Sequence, residues 1–337
     1  MTRDDALFLV WGPPSHGPRS KVFARELGID VEFVEATRRR GLLAAPYKYP
    51  VQLWRTIRLL HRRRPRMLFV QSPPSPAVAT AAVYGALTGS PYVIDAHSAA
   101  FLSPIWTRPR WLNRLLFRRA LVTIVTNEHF ADLLASMGAS ALVLRDIPTE
   151  FERGPSPALG DGFHVMVVNT FSFDEPLEEV VEAARELPAV TFHVTGRVES
   201  HPEAVPASVP PNLRFTGFLS DPDYYALMQR ADAVVCLTTR DHTMQRGACE
   251  ALSMGRPIIT SDSSLLRSYF DRGTLHVDNR ADSIGRAVEA MREGHARYLE
   301  EIEELRLSQL REWDEARWRL QQILESVGAG VRSDDVA

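Results

Sequence analysis

The 337-residue chain is 45% hydrophobic and 24% charged, an ordinary globular balance that excludes a disordered or collagen-like chain and leaves length for two domains. Its net charge of −3 hides an asymmetry: residues 1–150 hold 20 Lys and Arg against 11 Asp and Glu (+9), and the remainder 19 against 31 (−12). Two cysteines, Cys236 and Cys249, exclude a disulfide framework, no Cys/His cluster has zinc spacing, and the expected compartment is the cytoplasm.

The start, Met-Thr-Arg-Asp-Asp, leads straight into a strand at Ala6 to Val10, so no signal peptide is expected. Trp11-Gly12-Pro13-Pro14-Ser15-His16-Gly17 then turns into a helix through Leu27. The position suits a phosphate loop, but the G-x-G-x-x-G spacing is absent, and His16 is kept as a cleft residue rather than part of a dinucleotide fingerprint. Val31 to Ala36 reads as a second strand. The basic segment 38–66 follows, with Tyr47, Tyr49, Trp54 and the run His61-Arg62-Arg63-Arg64. Its helical part, Val51 to Leu60, places Leu53, Ile57 and Leu60 on one face and Arg55 and Arg58 on another. That face pattern fits either a solvated helix packed on a sheet or a contact with an anionic membrane.

Met67 to Gln71 is a strand, followed by a Pro-rich turn and an apolar helix to Thr88; its run Ala77 to Leu87 is too short to span a bilayer. Tyr92 to Asp95 is a strand ending in Asp95-Ala96-His97-Ser98. In an open parallel sheet ligands gather at the carboxyl ends of strands, which marks Asp95 and His97; a satisfied structural histidine is the competing reading. A helix at Trp111 to Ala120, a strand at Val122 to Val125, a helix at Glu128 to Met137 and a strand at Ala141 to Leu144 complete a first α/β half.

Residues 147–162 read as a Pro- and Gly-rich linker, after which the alternation restarts. The second half has strands at His164 to Asn169, Val190 to Thr195, Leu213 to Thr216, Ala233 to Leu237, Pro257 to Thr260 and Leu275 to Val277. Helices at Glu175 to Leu187, Pro222 to Arg230 and Ser283 to Met291 lie between them. A long charged helix runs from about His295 to Val327, with a break expected near Trp313. The fold class is α/β, two Rossmann-like doubly wound domains facing a cleft. The boundaries are 1–150, 151–310, a C-terminal helix 311–327 packing back on the first domain, and a tail 328–337.

The densest chemistry lies in 238–262, a strand, a polar turn, a helix ending near Gly255 and a strand. This unit presents helix N–H groups to an anion, and its turn gathers Arg240, His242, Thr243, Gln245 and Arg246. Glu250, flanked by apolar residues two helical turns on, can accept hydrogen bonds from ribose hydroxyls. Asp174 and Glu175 precede a helix, where capping explains them, yet they also lie at a βα turn open to a ligand. Asp221-Pro222-Asp223 has D-x-D spacing, but Ser220 followed by Asp-Pro also reads as a helix cap; no metal site is expected.

Asn212 to Ser220, Tyr224-Tyr225, Ala231-Asp232-Ala233 and Glu250-Ala251-Leu252-Ser253-Met254-Gly255-Arg256-Pro257-Ile258-Ile259 resemble the nucleotide-binding domain of GT-B glycosyltransferases, family 4-like. The resemblance covers residues 160–290 well, and the first half through architecture and Asp95-Ala96-His97. It implies that Gly217 and Phe218 line a base pocket, that Glu250 holds the ribose, and that Thr243, Met244, Gln245, Arg246 and Gly247 approach the diphosphate. His97 would then lie beside the sugar and acceptor. Two departures stand out. His242 occupies the place of the family's first glutamate, and Asn169-Thr170-Phe171 with Asp174-Glu175-Pro176 replaces its Arg/Lys pair. The diphosphate charge must then be met by helix N–H groups and by Arg197, Arg240 or Arg246.

The resemblance implies a retaining, metal-independent hexosyltransferase-like enzyme with no cofactor beyond its nucleotide-sugar substrate. His97 and His242 are its candidate catalytic side chains, and no paired carboxylates for a double displacement are evident. The expected partners are a nucleotide sugar, a glycan or lipid-linked acceptor and an anionic membrane surface, with peripheral attachment at the inner face of the cell membrane. Nucleic acid is not expected, for want of a binding motif. A nucleotide-sugar epimerase, a non-catalytic nucleotide-binding subunit and a membrane scaffold are the alternatives.

Overall fold

The computed structural model describes residues 5–13, 18–36, 45–201, 205 and 208–331. The chain divides into two units, Met1–Asp146 with Trp313–Ala337, and Ile147–Glu312. In the first, the order is β1 (Ala6–Val10), α1 (Pro18–Leu27), β2 (Asp30–Phe33), α2 (Ala45–Arg63), β3 (Met67–Ser72) and α3 (Ser75–Thr88). Then come β4 (Tyr92–Ala96), α4 (Ala99–Leu102), α5 (Pro104–Thr107), α6 (Arg110–Arg119), β5 (Val122–Val125), α7 (Glu128–Ser136) and β6 (Ala141–Val143). The six strands form a parallel sheet in the order β2-β1-β3-β4-β5-β6. Every residue of β1, β3, β4 and β5 is buried, as a parallel sheet covered by helices on both faces demands.

The second unit runs β7 (Phe163–Val167), α8 (Leu177–Glu186), β8 (Val190–Thr195), β9 (Leu213–Gly217), α9 (Asp221–Arg230) and β10 (Ala233–Cys236). It continues with α10 (Arg246–Ser253), β11 (Ile258–Ser261), α11 (Ser264–Tyr269), β12 (Thr274–Val277), α12 (Ala281–Glu293) and α13 (His295–Val331), whose last part belongs to the first unit. Its sheet is again parallel, ordered β12-β11-β10-β7-β8-β9. The chain winds one way from β7 to β9 and the other way from β10 to β12. The crevice between β7 and β10 is therefore the topological switch point, where doubly wound sheets bind ligands.

Several elements differ from expectation. Helix α2 is longer than Val51 to Leu60, and it buries Gln52, Thr56 and Leu60 in place of Leu53, Ile57 and Leu60. Each of the polar pair makes one buried hydrogen bond: Gln52 Nε2 donates to the Val34 carbonyl at 2.8 Å, and Trp11 Nε1 donates to Thr56 Oγ1 at 2.9 Å, while Gln52 Oε1 has no partner. Those two bonds set the helix rotation and turn Leu53 and Ile57 outward. Helices α4 and α5 are additional. Helix α13 is continuous through Trp313, which is buried with its ring edge-on to Phe23 at 6.4 Å, so the expected break is absent. Helix α8 starts at Leu177, with Pro176 at its N-cap, rather than at Glu175. Part of the expected tail, 332–337, lies outside the described residues.

Candidate functional site

In the second unit a cavity of about 480 Å³ opens at the switch point, against the carboxyl ends of β7, β8 and β10. Val168, Asn169 and Thr170 follow β7, Gly196 and Arg197 follow β8, Cys236 ends β10, and Gln245, Arg246 and Gly247 begin α10. The close approach of these loops explains two glycines. A Cβ on Gly196 (φ +117°) would stand 2.5 Å from the Asn169 carbonyl oxygen, and one on Gly247 would stand 2.7 Å from Val168 Cγ1.

Glu250 is the hub of the cavity wall and is 7% exposed. Its Oε2 accepts from Tyr224 Oη at 3.0 Å; its Oε1 accepts from Tyr225 Oη at 3.2 Å and from Arg246 Nε at 2.7 Å. Three donors satisfy a buried carboxylate, which would otherwise be expensive to desolvate. Burial together with the nearby Glu250 charge raises both phenols, Tyr225 to about 12 and Tyr224 well above its ordinary value, so both stay protonated donors. Burial works against the Arg246 charge, and Glu250 more than offsets it, leaving the guanidinium more basic than usual. Phe151, from the linker segment, stacks on Tyr225 with centroids 4.1 Å apart and fixes the ring.

The N-terminus of α10 has no side-chain cap. The N–H groups of Gly247 and Ala248 are directed instead at the Cys236 thiol, which burial pushes up to about 12 despite them. On the opposite wall the Arg197 guanidinium lies 3.7 Å over the Phe218 ring, a cation–π pair at the mouth of the cavity. Gly217 adopts φ +68° at the end of β9 and allows the turn that carries Phe218 outward.

The acidic pair expected at the βα turn is structural. Glu175 lines the cavity, but its carboxylate accepts from Thr170 N at 2.7 Å, Thr170 Oγ1 at 2.9 Å and Ser172 N at 3.1 Å, which folds loop 169–175 on itself. Asp174 is buried and accepts from Ser172 Oγ, from Thr238 Oγ1 at 2.8 Å and from Arg240 at 3.2 Å. Burial would raise its carboxyl, but those hydroxyls and Arg240 more than offset this and hold it below the usual range. Both carboxylates tie loops together; Asp174 is turned away from the cavity, which corrects its reading as a ligand-facing group, while Glu175 keeps its place in the wall.

Of the three cations considered for the diphosphate, Arg197 and Arg246 line the cavity. Arg240 is turned to Asp174 and lies over the Phe173 ring at 4.8 Å. The turn residues also separate. Gln245 lines the cavity and accepts from Cys236 Sγ at 3.3 Å, whereas Met244 packs on the apolar core beneath α10. His242 sits in the left-handed region at φ +53° with Nε2 3.6 Å from Asp241, and Thr243 donates to the Asp241 carbonyl; neither lines the cavity. Ser220 caps α9 by accepting from Asp223 N at 3.4 Å, the cap alternative for Asp221-Pro222-Asp223. Among the described residues no group of three His, Cys, Asp or Glu is placed to hold a metal ion.

In the first unit Asp95, at the end of β4, is fully buried and therefore cannot be the ligand-facing residue expected of it. It pairs with Arg19 of α1 at 3.3 Å and with His97 Nε2 at 3.3 Å, and Arg19 also pairs with Asp146 and donates to the Leu144 carbonyl at 2.7 Å. Burial would raise the Asp95 carboxyl, but Arg19 and His97 override it and hold it at about 2. An ionised Asp95 orients His97, whose backbone N–H is bonded to the Ser72 carbonyl at 2.8 Å and whose side chain is partly exposed. His16 lies outside the described residues.

Sequence reasoning left Tyr224, Tyr225, Arg19 and Asp146 out of the candidate set. Neighbours on a helix point about 100° apart, so nothing in periodicity shows that adjacent tyrosines converge on one carboxylate. Arg19 carried no signal beyond its place after the first turn.

Residues 4–149 match the family model described as a glycosyl transferase 4-like domain, and residues 165–305 match the one described as glycosyl transferases group 1. No curated protein matches the chain in sequence. Among solved structures the chain is similar to HepE from Anabaena in complex with UDP and glucose, at 15% identity over 96% of this chain and 99% of that one, with a TM-score of 0.69. It is also similar to sucrose-phosphate synthase from Thermosynechococcus elongatus (14% identity, 97% and 100% covered, TM-score 0.68). A glycosyltransferase from Rickettsia africae is similar too (11% identity, 95% and 98% covered, TM-score 0.68). At these identities the structural likeness establishes the shared fold.

Proposed function

The chain belongs to the GT-B glycosyltransferases as a divergent family-4-like member, and on that premise we propose that it moves a sugar from a nucleoside diphosphate to a lipid-linked or polysaccharide acceptor. The observation that carries the donor reading is the buried Glu250 carboxylate in the wall of the switch-point cavity. A carboxylate has about four acceptor positions, of which three are taken, and the partner best able to leave is Arg246, whose side chain is largely exposed. A ribose diol then takes its place on Glu250.

The diphosphate fits the start of α10. A thiol is a weak acceptor, so the N–H groups aimed at Cys236 find a stronger partner in a phosphate oxygen, with the helix dipole adding to the attraction. Arg246 and Arg197 supply positive charge in place of the Arg/Lys pair that this chain lacks. Phe218, at the cavity mouth, is the side chain offered to the base, and Gly217 serves it by shaping the turn before Phe218. Stabilising the departing diphosphate with fixed donors is the main catalytic contribution, and it needs neither a metal ion nor paired carboxylates. The transfer proceeds with retention, as the family resemblance implies. His97, held by Asp95, orients groups on the reacting sugar, and His242 touches the donor only if its turn moves.

The binding of UDP by HepE supports a nucleoside diphosphate as the donor's leaving group. The basic first half supports an acceptor held at an anionic membrane on the cytoplasmic side. The test is incubation with UDP-, GDP- and ADP-sugars, with and without lipid-linked acceptors and with and without a chelator, following nucleotide release and product stereochemistry. Transfer that survives chelation and retains configuration is expected. Epimerised donor in the absence of acceptor, or no donor turnover under any condition, overturns the reading.

A further inference from the structure

Helices α2, α3 and α6 lie side by side, α2 on α3 and α3 on α6, and bury their inner sides in one apolar cluster through Leu60, Val78 and Leu116. Their outer sides are not polar. Leu53, Trp54 and Ile57 on α2, Leu87 on α3, and Trp111 and Leu115 on α6 are all exposed, Leu87 at 81% and Trp111 at 69%. Soluble surfaces tolerate such side chains singly, but a row of them across three adjacent helices marks an interaction surface.

The charge of the three helices is equally one-sided, with Glu32 and Glu35 of the neighbouring β2 edge lining one cavity with Trp54, Arg58 and Arg62. None of the three helices contains Asp or Glu, while Arg55, Arg58, Arg62, Arg110, Arg114 and Arg118 are exposed on α2 and α6. From residue 36 to residue 127 the only acidic residue is Asp95, which is buried. Arg58 lies over the Trp54 ring at 5.6 Å, so the cations and aromatics share the same surface.

We propose that the outer side of the α2–α3–α6 layer docks on an anionic lipid bilayer, with Trp54, Ile57, Leu87, Trp111 and Leu115 entering the headgroup region and the arginines pairing with lipid phosphates. Tryptophan and aliphatic side chains flanked by arginine are the composition that partitions into this interface. A second copy of the chain is a poor occupant, because a two-fold interface would set these arginine-rich helices against themselves. Nucleic acid is a poor one too, because Leu87, Ile57 and Leu115 offer no planar face for bases. Among the described residues no helix is long and apolar enough to cross a membrane, so the contact is interfacial. The proposal deepens the reading of a membrane-held acceptor but draws on different residues from the nucleotide site.

The test is co-sedimentation of the full chain with vesicles of phosphatidylcholine alone and of phosphatidylcholine mixed with phosphatidylglycerol, neither containing a glycosyl acceptor. Docking is thereby read separately from acceptor identity and turnover. Binding to the mixed vesicles alone, weakened by salt, is expected. Arg58→Glu with Arg62→Glu should lower it by about 30-fold or more, since each cation near such a surface contributes roughly fivefold. Trp54→Ser with Trp111→Ser, both exposed and tolerable to the fold, should lower it by about tenfold and abolish quenching of tryptophan fluorescence by brominated lipid. Equal binding to both vesicle types, binding to neither, or Trp variants that bind like the parent would overturn the proposal. So would a dimer in solution that the Trp substitutions dissociate.

Discussion

Arg246 Nε lies 2.7 Å from Oε1 of Glu250, four residues along the same helix, at the wall of the switch-point cavity. On the proposed reading the guanidinium holds the place of the ribose and, once displaced, serves the diphosphate as a cation. Removing it should therefore act in opposite directions on two ligands. Arg246→Ala should tighten binding of the bare nucleoside by a few-fold, because Glu250 is freed. It should weaken binding of the nucleoside diphosphate by about tenfold or more, a charged hydrogen bond being worth roughly 1.5–3 kcal/mol. Calorimetry with uridine and UDP, guanosine and GDP, and adenosine and ADP reads both. Glu250→Ala should weaken nucleoside and diphosphate alike, and unchanged affinity for both would remove Glu250 from the ribose role.

The two tyrosines hold the carboxylate in place without needing to touch the ligand. Tyr224→Phe leaves Glu250 Oε2 without its tyrosine donor, and Tyr225→Phe keeps the stack on Phe151 while removing one bond to Oε1. Each should cost about 1–2 kcal/mol in nucleotide binding. The double variant should cost more than their sum, since both donors serve one buried charge. A double-mutant cycle measured by nucleotide titration checks this; strict additivity would mean that the phenols act independently.

Asp95 gives the first unit an acid-sensitive element. Its carboxyl is held at about 2 against an ordinary 3.8, so the folded state binds its proton more weakly than the unfolded chain does. The associated stability is present above pH 4 and is lost as the pH falls through 3.8 towards 2. It amounts to about 2 kcal/mol. Asp95→Asn should remove that acid dependence. It should also destabilise at neutral pH by about 3–5 kcal/mol, because Arg19 loses a buried counter-charge. Denaturant unfolding at a series of pH values tests both parts.

His193 gives the second unit a different pH response. Burial, the adjacent His164 and Arg214 lower its pKa to about 4 from 6.5, and His164 Nδ1 lies 3.1 Å from His193 Nε2. The folded form stays neutral while the unfolded form protonates, so stability is full above pH 6.5 and falls as the pH drops from 6.5 towards 4. His193→Phe should flatten that slope in thermal unfolding of the second unit, and a slope that persists would place its origin elsewhere.

The largely apolar runs of β1, β3, β4, β7 and β10, spaced by helical segments, determined two parallel sheets, because strands covered on both faces read as near-continuous apolar runs. They also determined that Glu250 follows a strand end and a polar turn, which is enough to suspect a nucleotide. What the tertiary structure decided is who meets whom. Gln52 and Thr56 turn inward because their hydrogen-bond partners, Val34 and Trp11, come from elsewhere in the sequence, and the apolar residues Leu53 and Ile57 are left outside. Tyr224 and Tyr225 converge on Glu250, and Arg19 on Asp95, only after β–α crossovers bring separate elements together. Periodicity proposes which face of an element is buried, and in α2 tertiary hydrogen bonds overrode it. The partner of a buried charge is set by the crossover, and it is that partner which turned Asp174 and Asp95 from candidate ligands into supports.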